Sequence, residues 1–284
     1  MRRIFQTLTT KIGRAASLLR NEGCSALLKE MVERVRTLRR PRPDESAMIF
    51  RVLSHQQQRG TMIDVGAHVG TALAPFARAG WQVVAFEPDS VNRKRLEELF
   101  RSFPNVSIDP RALADEPRKA ATLFRSEVST GISSLSPFHS SHVAAGTIDV
   151  TTLETVSRDR SIRSLDFLKI DTEGYDLPVL KGLPWRTLKP RVILCEFEDT
   201  KTGPLGYSFR DLGDFLQERG YKLIVSEWYP VKRYGARHQW RRFALYPCQL
   251  ADPASWGNII GTDSEPLHHE MLQICRRYGP VEGD

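Results

Sequence analysis

The sequence has little cysteine and no long apolar run. Its four cysteines stand far apart, and none forms a CxxC pair or another metal-ligand spacing (Cys24, Cys195, Cys248 and Cys275). No stretch approaches the ~20 apolar residues of a membrane-spanning helix, and none resembles the apolar core of a secretory signal. These absences exclude disulfide-rich, membrane-spanning and signal-bearing classes. Cys195 lies in the apolar run 192–195, which predicts a buried thiol and a reducing compartment, the cytoplasm.

Two common phosphate-binding glycine patterns are absent as well. The sequence contains neither GxxxxGK[ST], which cradles nucleoside triphosphates, nor GxGxxG, whose bare backbone contacts a pyrophosphate. It also lacks the catalytic Tyr-x-x-x-Lys pattern of many nicotinamide-dependent oxidoreductases. Nucleotide hydrolysis and dinucleotide chemistry therefore lose support, although an oxidoreductase stays an alternative.

Positive charge is concentrated near the N-terminus. Residues 1–43 hold 11 Lys or Arg against three Glu, a net charge of +8, whereas the whole chain carries +7. Residues 44–284 are therefore close to neutral, at −1. The basic character belongs to an N-terminal extension, which argues against a nucleic-acid partner for the rest of the chain.

An amphipathic helix is predicted inside this extension. Apolar residues recur there at steps of three and four, on one helical face (Ile4, Leu8, Ile12, Ala15 and Leu19). Two interpretations stay open: this face packs against the rest of the protein, or residues 1–20 lie on an anionic membrane surface. Pro41 and Pro43 interrupt any helix. We predict a basic helical extension over 1–45, a main domain over 46–250 and a tail over 251–284, and leave the oligomeric state open.

From residue 46 onward, short apolar runs alternate with helical patterns. This alternation is typical of βαβ units, so we predict an α/β fold with a doubly wound, mostly parallel sheet. Ligands of such sheets bind at the carboxyl ends of the strands, where the winding reverses. The predicted strands are 61–65, 82–86, 106–108, 165–170, 191–197 and 221–226, and the predicted helices are 71–79, 90–100, 176–183 and 209–219.

The first predicted strand ends in the glycine turn 64–70, DVGAHVG. Gly66 lets the backbone approach a ligand, and Gly70 opens the next helix, whose N–H groups favour a partly negative group. Glu87 ends the second strand, where a carboxylate can accept hydrogen bonds from both ribose hydroxyls. Asp64 places a negative charge beside the ligand, which suits a sulfonium or ammonium better than phosphates. Among nucleoside ligands the pattern therefore favours S-adenosylmethionine.

Three runs follow one another in a distinctive order: DVGAHVG at 64–70, FEP at 86–88 and DFLKIDTEG at 166–174. Together with TGISSL at 130–135 and VTTLE at 150–154, they resemble the FkbM family of methyltransferases. The third run is far more specific than the glycine turn. The resemblance extends over roughly residues 60–200.

This resemblance implies a class I, Rossmann-like methyltransferase that uses S-adenosylmethionine. Such enzymes usually act on hydroxyl groups of sugars or other natural products, so we predict an O-methyltransferase for a sugar, a glycan or a secondary metabolite. Two alternatives stay open, namely a non-catalytic module that binds S-adenosylmethionine or a glycan, and a nicotinamide-dependent oxidoreductase. The resemblance assigns the cofactor to Asp64, Gly66, Ala67 and Gly70 in the turn, to Glu87 for the ribose, and to Ala112 and Leu113 for the adenine.

Two carboxylates follow the strand predicted at 165–170. Asp171 and Glu173 are two residues apart, so a continued strand would place them on the same side. We predict that one of them is the general base or orients the acceptor; alternatively, Asp171 holds the turn before the next helix. Lys169 is predicted to pair with Asp171 or Glu196. We predict no metal, because nothing in the spacing defines a set of ligands.

An aromatic and basic segment occupies residues 227–242. Aromatic faces can stack on sugar rings, and arginines bind acidic groups. We therefore predict that Trp228 and His238 contact a saccharide acceptor. The alternatives are a solvated loop with packed aromatic side chains and a surface that stacks nucleotide bases.

Overall fold

The computed structural model describes residues 42–234 and 237–284. The amphipathic helix predicted within residues 4–19 lies outside the described residues, so both interpretations of it stay predictions. None of the helices in the described ranges is long and apolar enough to cross a membrane.

Twelve strands occur in the described chain, and nine of them form one central sheet. The strands are β1 (Thr61–Val65), β2 (Gln82–Phe86), β3 (Val106–Asp109), β4 (Ala112–Leu113), β5 (Arg118–Ser126), β6 (His142–Thr151), β7 (Phe167–Ile170), β8 (Val192–Glu198), β9 (Lys222–Trp228), β10 (Trp240–Leu245), β11 (Trp256–Thr262) and β12 (Val281–Glu282). The order in the central sheet is β12-β10-β9-β11-β8-β7-β1-β2-β3.

Strands β3, β2, β1, β7 and β8 are neighbours and run parallel. Alternate side chains of β1 enter two separate cores, Met62 on one face of the sheet, and Ile63 and Val65 on the other. Strands buried on both faces are nearly continuous apolar runs. For this reason the sequence pattern identifies them, and the predicted α/β fold with a mostly parallel sheet is confirmed.

The winding of the sheet reverses at β1. The chain moves from β1 through β2 to β3 on one side and then returns to place β7 on the other side of β1. The carboxyl ends of β1, β2 and β7 therefore meet at one edge, where ligands of doubly wound sheets bind.

The remaining part of the sheet is mainly antiparallel. Strand β11 lies between β8 and β9 and is antiparallel to both, while β10 continues the antiparallel pairing beyond β9. Residues 251–284, predicted as a tail, thus supply an interior strand of the sheet. The sequence did not indicate this, because its apolar pair Ile259-Ile260 is short and flanked by Gly257 and Gly261.

A small second sheet is formed by the chain between β3 and β7. Its order is β4-β6-β5, with β5 and β6 antiparallel. Most of β6 is exposed, so it has no apolar period that would predict a strand. The connection between β5 and β6 reaches the ligand-binding edge of the main sheet, as described below.

Eight α-helices occur in the described residues. The helix predicted at 71–79 is shorter than expected, because the chain turns until Leu73 and Pro75 then occupies the first helical turn. The helices are α1 (Glu45–Gln56), α2 (Ala74–Arg78), α3 (Ser90–Phe100), α4 (Leu153–Asp159), α5 (Asp176–Lys181), α6 (Asp199–Thr202), α7 (Phe209–Gln217) and α8 (Glu265–Cys275).

Candidate active site

The turn after β1 is held by backbone contacts on both neighbouring strands. The N–H groups of Gly66 and Ala67 each donate to the carbonyl of Phe86 at 3.0 Å. Gly66 has a φ of 76°, and an added Cβ would lie 1.9 Å from the carbonyl oxygen of Asp171. Only glycine therefore allows the end of β7 to pack so closely against this turn.

Gly70 allows helix α3 to pack against the same turn. Its φ is 84°, and an added Cβ would lie 2.3 Å from the Phe100 ring and 2.7 Å from Leu96. Helix α2 begins only at Ala74, so the helix start predicted at Gly70 is a turn. Free N–H groups of a helix are therefore not found where we expected them.

Glu87 is held at the end of β2 by two backbone donors. Its Oε2 accepts from the N–H of His68 at 2.7 Å, and its Oε1 accepts from the N–H of Asp89 at 2.8 Å. Burial raises the pKa of Glu87 to about 7, although both N–H groups oppose the shift. A carboxylate has about four acceptor positions, so Glu87 can still accept hydrogen bonds from a ligand.

A cavity of about 200 Å³ opens between the carboxyl ends of β1, β2 and β7. Apolar side chains such as Phe86, Leu123 and Leu135 form part of its wall. The cavity therefore combines carboxylates with an apolar wall that a nucleobase could contact. Six of the predicted site residues line it, namely Gly66, Glu87, Ala112, Leu113, Asp171 and Glu173.

Residues 130–135, here termed the cover loop, lie in the connection between β5 and β6 and border this cavity. The Thr130 hydroxyl bonds to the His68 ring at 3.1 Å. The Ser134 hydroxyl donates to the backbone carbonyl of Glu173 at 3.1 Å. The cover loop is thus tied both to the glycine turn and to the loop that carries the predicted catalytic residues.

The loop after β7 carries the two predicted catalytic carboxylates. The side chain of Asp171 is 42% exposed, whereas that of Glu173 is 10% exposed. Glu173 has a φ of 55°, a conformation that is strained for residues other than glycine and clusters at functional sites. The turn is fastened by Asp176, which accepts from the Thr172 hydroxyl at 2.8 Å. Whether Asp171 also holds this turn stays a prediction.

Lys169 forms the predicted ion pair with Asp171, at 3.4 Å, and a closer one with Asp64, at 3.1 Å. It also donates to the carbonyl of Gly66 at 3.2 Å. Burial alone would lower the pKa of Lys169, but Asp64 and Asp171 raise it, so the ammonium stays charged. Asp64 is fully buried and does not line the cavity. Its ion-pair partner Lys169 is the group that bonds to the glycine turn.

A second buried lysine lies among three glutamates. The Nζ of Lys201 is 2.6 Å from Glu173 Oε2, 2.9 Å from Glu196 Oε2 and 2.8 Å from Glu198 Oε2. Burial alone would lower the pKa of Lys201, but the glutamates raise it well above its ordinary value. Burial raises the pKa of Glu173 to about 7 and that of Glu196 well above its ordinary value, against the charge of Lys201.

Three carboxylates at this edge could together approach a metal ion. Oxygens of Asp171, Glu173 and Glu196 lie within 4.8 Å of one another. Each of the three is already paired with an ammonium group, Asp171 with Lys169, and both glutamates with Lys201.

The two predicted acceptor-binding residues lie away from the cavity. Trp228 is buried in β9, and its indole N–H donates to Glu45 in α1 at 3.2 Å. His238 packs edge to face on Trp256, with ring centres 5.1 Å apart. The same segment reaches the carboxylate cluster through Tyr234, whose hydroxyl donates to Glu198 Oε1 at 3.4 Å. An acceptor contact by Trp228 or His238 stays a prediction.

Lys201 and the cover loop were not predicted as parts of the site. Glu196 and Glu198 alternate at the end of β8, so the sequence could have placed both carboxylates on one side of the strand. Nothing in the pattern indicated Lys201, because its position depends on the single helical turn α6. His68, in the glycine turn, bonds to Thr130 and also lines the cavity.

Residues 64–223 match the sequence profile of the methyltransferase FkbM domain. This range is more than half of the chain. The chain belongs to the FkbM methyltransferase family. It is an S-adenosylmethionine-dependent methyltransferase, which confirms the predicted enzyme class and cofactor. The assignment favours the enzyme over the non-catalytic module and over the oxidoreductase.

Several solved structures of methyltransferases resemble this FkbM methyltransferase at low sequence identity. Precorrin-6y C5,15-methyltransferase from Geobacter metallireducens GS-15 is 12% identical, with 76% of this chain and 86% of that chain covered and a TM-score of 0.40. An O-methyltransferase from Bacillus cereus in complex with SAH is 9% identical, with coverage of 82% and 87% and a TM-score of 0.40. A putative O-methyltransferase from Klebsiella pneumoniae is 10% identical, with coverage of 82% and 86% and a TM-score of 0.41. None of the curated proteins compared with this chain matches it.

The cavity of the FkbM methyltransferase fits S-adenosylmethionine in its chemistry. Glu87 keeps acceptor positions for the ribose hydroxyls, and Ala112 and Leu113 contribute apolar wall for the adenine. Gly66 contributes backbone atoms to the wall of the cavity. These residues would hold the nucleoside part of the cofactor.

The affinity for S-adenosylmethionine should increase as the pH rises through the pKa of Glu87. The ionised carboxylate accepts hydrogen bonds from ribose hydroxyls better than the protonated acid, and burial raises the pKa of Glu87 to about 7. Calorimetric titration should show roughly tenfold weaker binding at pH 6 than at pH 8 if ionisation is required.

Glu87→Gln should bind about 10–100-fold more weakly, because it loses hydrogen bonds to a charged group, and its affinity should depend less on pH. Glu97→Gln is the matched control. Glu97 lies nearby in the chain, in α3, but its side chain is 58% exposed and does not line the cavity. A Glu87→Gln variant with wild-type affinity would remove Glu87 from the cofactor site.

Proposed function

We propose that this methyltransferase transfers the methyl group of S-adenosylmethionine to a hydroxyl oxygen of a sugar, a glycan or a secondary metabolite. The observation that carries the proposal is the position of Asp171 and Glu173, which line the same cavity as the glycine turn. A hydroxyl acceptor must lose its proton when its oxygen gains a methyl group. A carboxylate at this place therefore has a direct chemical use.

Glu173 is the residue that we assign to receive the proton. Bound S-adenosylmethionine would supply an electrophilic methyl group on a positively charged sulfur and would leave as S-adenosylhomocysteine, with the electron pair of the broken C–S bond on sulfur. Burial raises the pKa of Glu173 to about 7, and a base with a pKa near the working pH is both partly ionised and able to accept a proton. The O–H bond of the acceptor breaks as the new C–O bond forms, and the proton ends on Glu173.

Asp171 has a different task in this proposal. Its side chain is more exposed to solvent than that of Glu173, and its carboxylate is paired with Lys169 at 3.4 Å. It can accept a hydrogen bond from the acceptor and so direct the reacting oxygen toward the methyl group. Alignment of the two reactants accounts for a large part of the rate in a displacement of this kind.

Aromatic side chains beside the carboxylates support a saccharide as the acceptor. The rings of Phe138 and Tyr234 have their centres 5.4 Å and 6.0 Å from Lys201 Nζ. The ring of His139 packs edge to face on Tyr234 at 5.3 Å. Aromatic faces can stack on the apolar faces of sugar rings, while carboxylates accept hydrogen bonds from sugar hydroxyls.

The charge of this region argues against a nucleic-acid acceptor. Four carboxylates (Asp171, Glu173, Glu196 and Glu198) stand against the two ammonium groups of Lys169 and Lys201. Nucleic-acid binding depends on cationic groups that neutralise phosphates.

The cellular location is inferred from the cysteines. The free, buried thiols of Cys195 and Cys275 favour a reducing compartment, and we propose the cytoplasm.

The proposal is tested with methyl-labelled S-adenosylmethionine and a panel of acceptors. Each sugar or sugar-containing natural product is paired with an analogue whose hydroxyls are blocked as methyl ethers, and RNA and a primary amine complete the panel. We expect label only in acceptors with free hydroxyls, located on oxygen by mass spectrometry. Labelled RNA or amine, with every hydroxyl acceptor unlabelled, would contradict the proposal.

A further inference from the structure

The side chain of Lys201 is almost completely buried together with three glutamates. Its side chain is 3% exposed, and those of Glu173, Glu196 and Glu198 are 10%, 10% and 7% exposed. A lysine ammonium has three N–H donors and no acceptor. Here each of the three carboxylates has an oxygen within 2.9 Å of Nζ, and the contact with Glu196 Oε2 has the geometry of a hydrogen bond. The ammonium is thus surrounded by three carboxylates.

The rest of the structure fixes Lys201 in this position. The rings of Phe138 and Tyr234 lie over its ammonium and limit access of water. Lys201 packs on the loop after β7, because a Cβ on Gly174 would lie 3.3 Å from the Lys201 Cβ and 3.4 Å from its carbonyl oxygen. The position of the ammonium is thus defined by α6, by the loop after β7 and by the two aromatic rings.

Three buried carboxylates around one cation form the arrangement that oxygen-preferring metal ions use. Calcium and magnesium are bound by carboxylate oxygens from several side chains, and here Glu173, Glu196 and Glu198 each direct an oxygen at one centre. That centre is occupied by an atom of the chain itself. Of the three glutamates, only Glu173 lines the cavity. The ammonium of Lys201 therefore contacts one carboxylate at the cavity and two carboxylates behind it.

We propose that Lys201 is the resident cation of the acceptor site: its ammonium takes the position that a divalent metal ion would otherwise occupy, and holds the Glu173 carboxylate for proton transfer. This inference rests on the proposed O-methyl transfer. Lys201 is a positioning residue in it, because it contacts the base and not the reacting atoms.

The first test asks whether removal of the ammonium creates a metal site. In Lys201→Ala, the side chain is shortened and three carboxylates face the vacated centre. We expect the melting temperature of this variant to rise with Ca²⁺ or Mn²⁺ until it saturates, whereas the melting temperature of the wild type does not change. Lys201→Ala combined with Glu196→Gln is the control, which should lose most of this response because one charged ligand is gone.

The second test uses the pH dependence of the reaction. A nearby positive charge lowers a carboxyl pKa by about 1–3 units, so without Lys201 the Glu173 carboxylate should ionise at higher pH. At saturating cofactor, the rise of kcat with pH should therefore move upward by about 1–3 pH units, and the maximal kcat should fall by roughly 10–100-fold, as for other supporting contacts of a site.

A charge-balanced variant covers the case in which Lys201→Ala does not fold. Lys201→Ala with Glu198→Gln removes one positive and one negative charge together and keeps Glu173 and Glu196. It should also show an upward displacement of the pH profile, but a smaller one, because the charge of Glu198, which raises the pKa of Glu173, is removed as well. A merely structural ion pair would lower stability and leave this profile in place.

The outcomes separate this inference from the proposed function. If the wild type binds Mn²⁺ or Ca²⁺ at the cluster and needs it for activity, or if the lysine variants show neither metal-dependent stabilisation nor a displaced pH profile, the inference is overturned. If the wild type transfers no methyl group to any hydroxyl acceptor, the proposed function fails. The metal titration, which needs no turnover, then still decides whether Lys201 takes a metal position.

Discussion

Replacing Glu173 with glutamine is expected to lower kcat by about 10²–10⁴-fold, the usual contribution of a general base. The amide keeps the size of the side chain but cannot receive the proton of the acceptor hydroxyl. Calorimetry should show that S-adenosylmethionine still binds, because the nucleoside part of the cavity is unchanged. In the wild type, kcat at saturating cofactor should rise with pH through about 7, the pKa of Glu173. The glutamine variant should lose that rise.

Two matched variants identify the cause of the loss. Glu198→Gln removes the same charge beside Lys201, but Glu198 does not line the cavity, so kcat should fall much less. Asp171→Asn should mainly raise the KM of the acceptor. If Glu173→Gln and Glu198→Gln lost activity equally, the effect would come from the charge of the cluster and not from a base.

Replacing Gly66 with alanine is expected to abolish cofactor binding and to destabilise the fold. The new Cβ would lie 1.9 Å from the Asp171 carbonyl oxygen, so the backbone of the turn or of the loop after β7 must move. In addition, the left-handed φ of 76° is strained for alanine, which costs roughly 1–3 kcal/mol in free energy of unfolding. Denaturant unfolding and calorimetric titration with S-adenosylmethionine measure the two effects.

Gly203→Ala is the control for this substitution. An added Cβ at Gly203 meets no atom within 4 Å, and its backbone has helical angles with φ of −54°. Alanine at such a position is expected to be neutral or to stabilise by about 0.4–1 kcal/mol. Cofactor binding by Gly66→Ala at wild-type affinity would show that the turn is not the nucleoside site.

The sequence predicts those parts of the site whose positions depend on one short segment of the chain. Gly66 follows a strand and needs no partner to be recognised as a turn, and Glu87 ends the next strand. Both line the cavity, as do Asp171 and Glu173 after the fourth strand of the parallel part. Buried parallel strands and the glycine turns between them are local signals, so the order of elements follows from the pattern.

The parts that escaped prediction depend on contacts between distant segments. The burial of Trp228 is an example, because its indole N–H donates to Glu45 of α1, a residue far away in the chain. Lys201 resembles any surface lysine until α6 turns it toward β8. Strand β11 gives no helical or alternating period, because its apolar pair Ile259-Ile260 is short and lies between Gly257 and Gly261. Periodicity records which face of an element is buried, and it does not record what the element is buried against.

The position of β11 between β8 and β9 has a consequence for the order of events during synthesis. Both flanking strands emerge from the ribosome before the strand that joins them, so each exposes an unpaired edge until residue 262 has followed. The end of β8 carries Glu196 and Glu198, whereas the glycine turn and Glu87 belong to segments made much earlier. A nascent chain can therefore form the glycine turn and place Glu87 before β8 is paired on both edges, and the proposed acceptor side around Glu196 and Glu198 is complete only after β11 has followed.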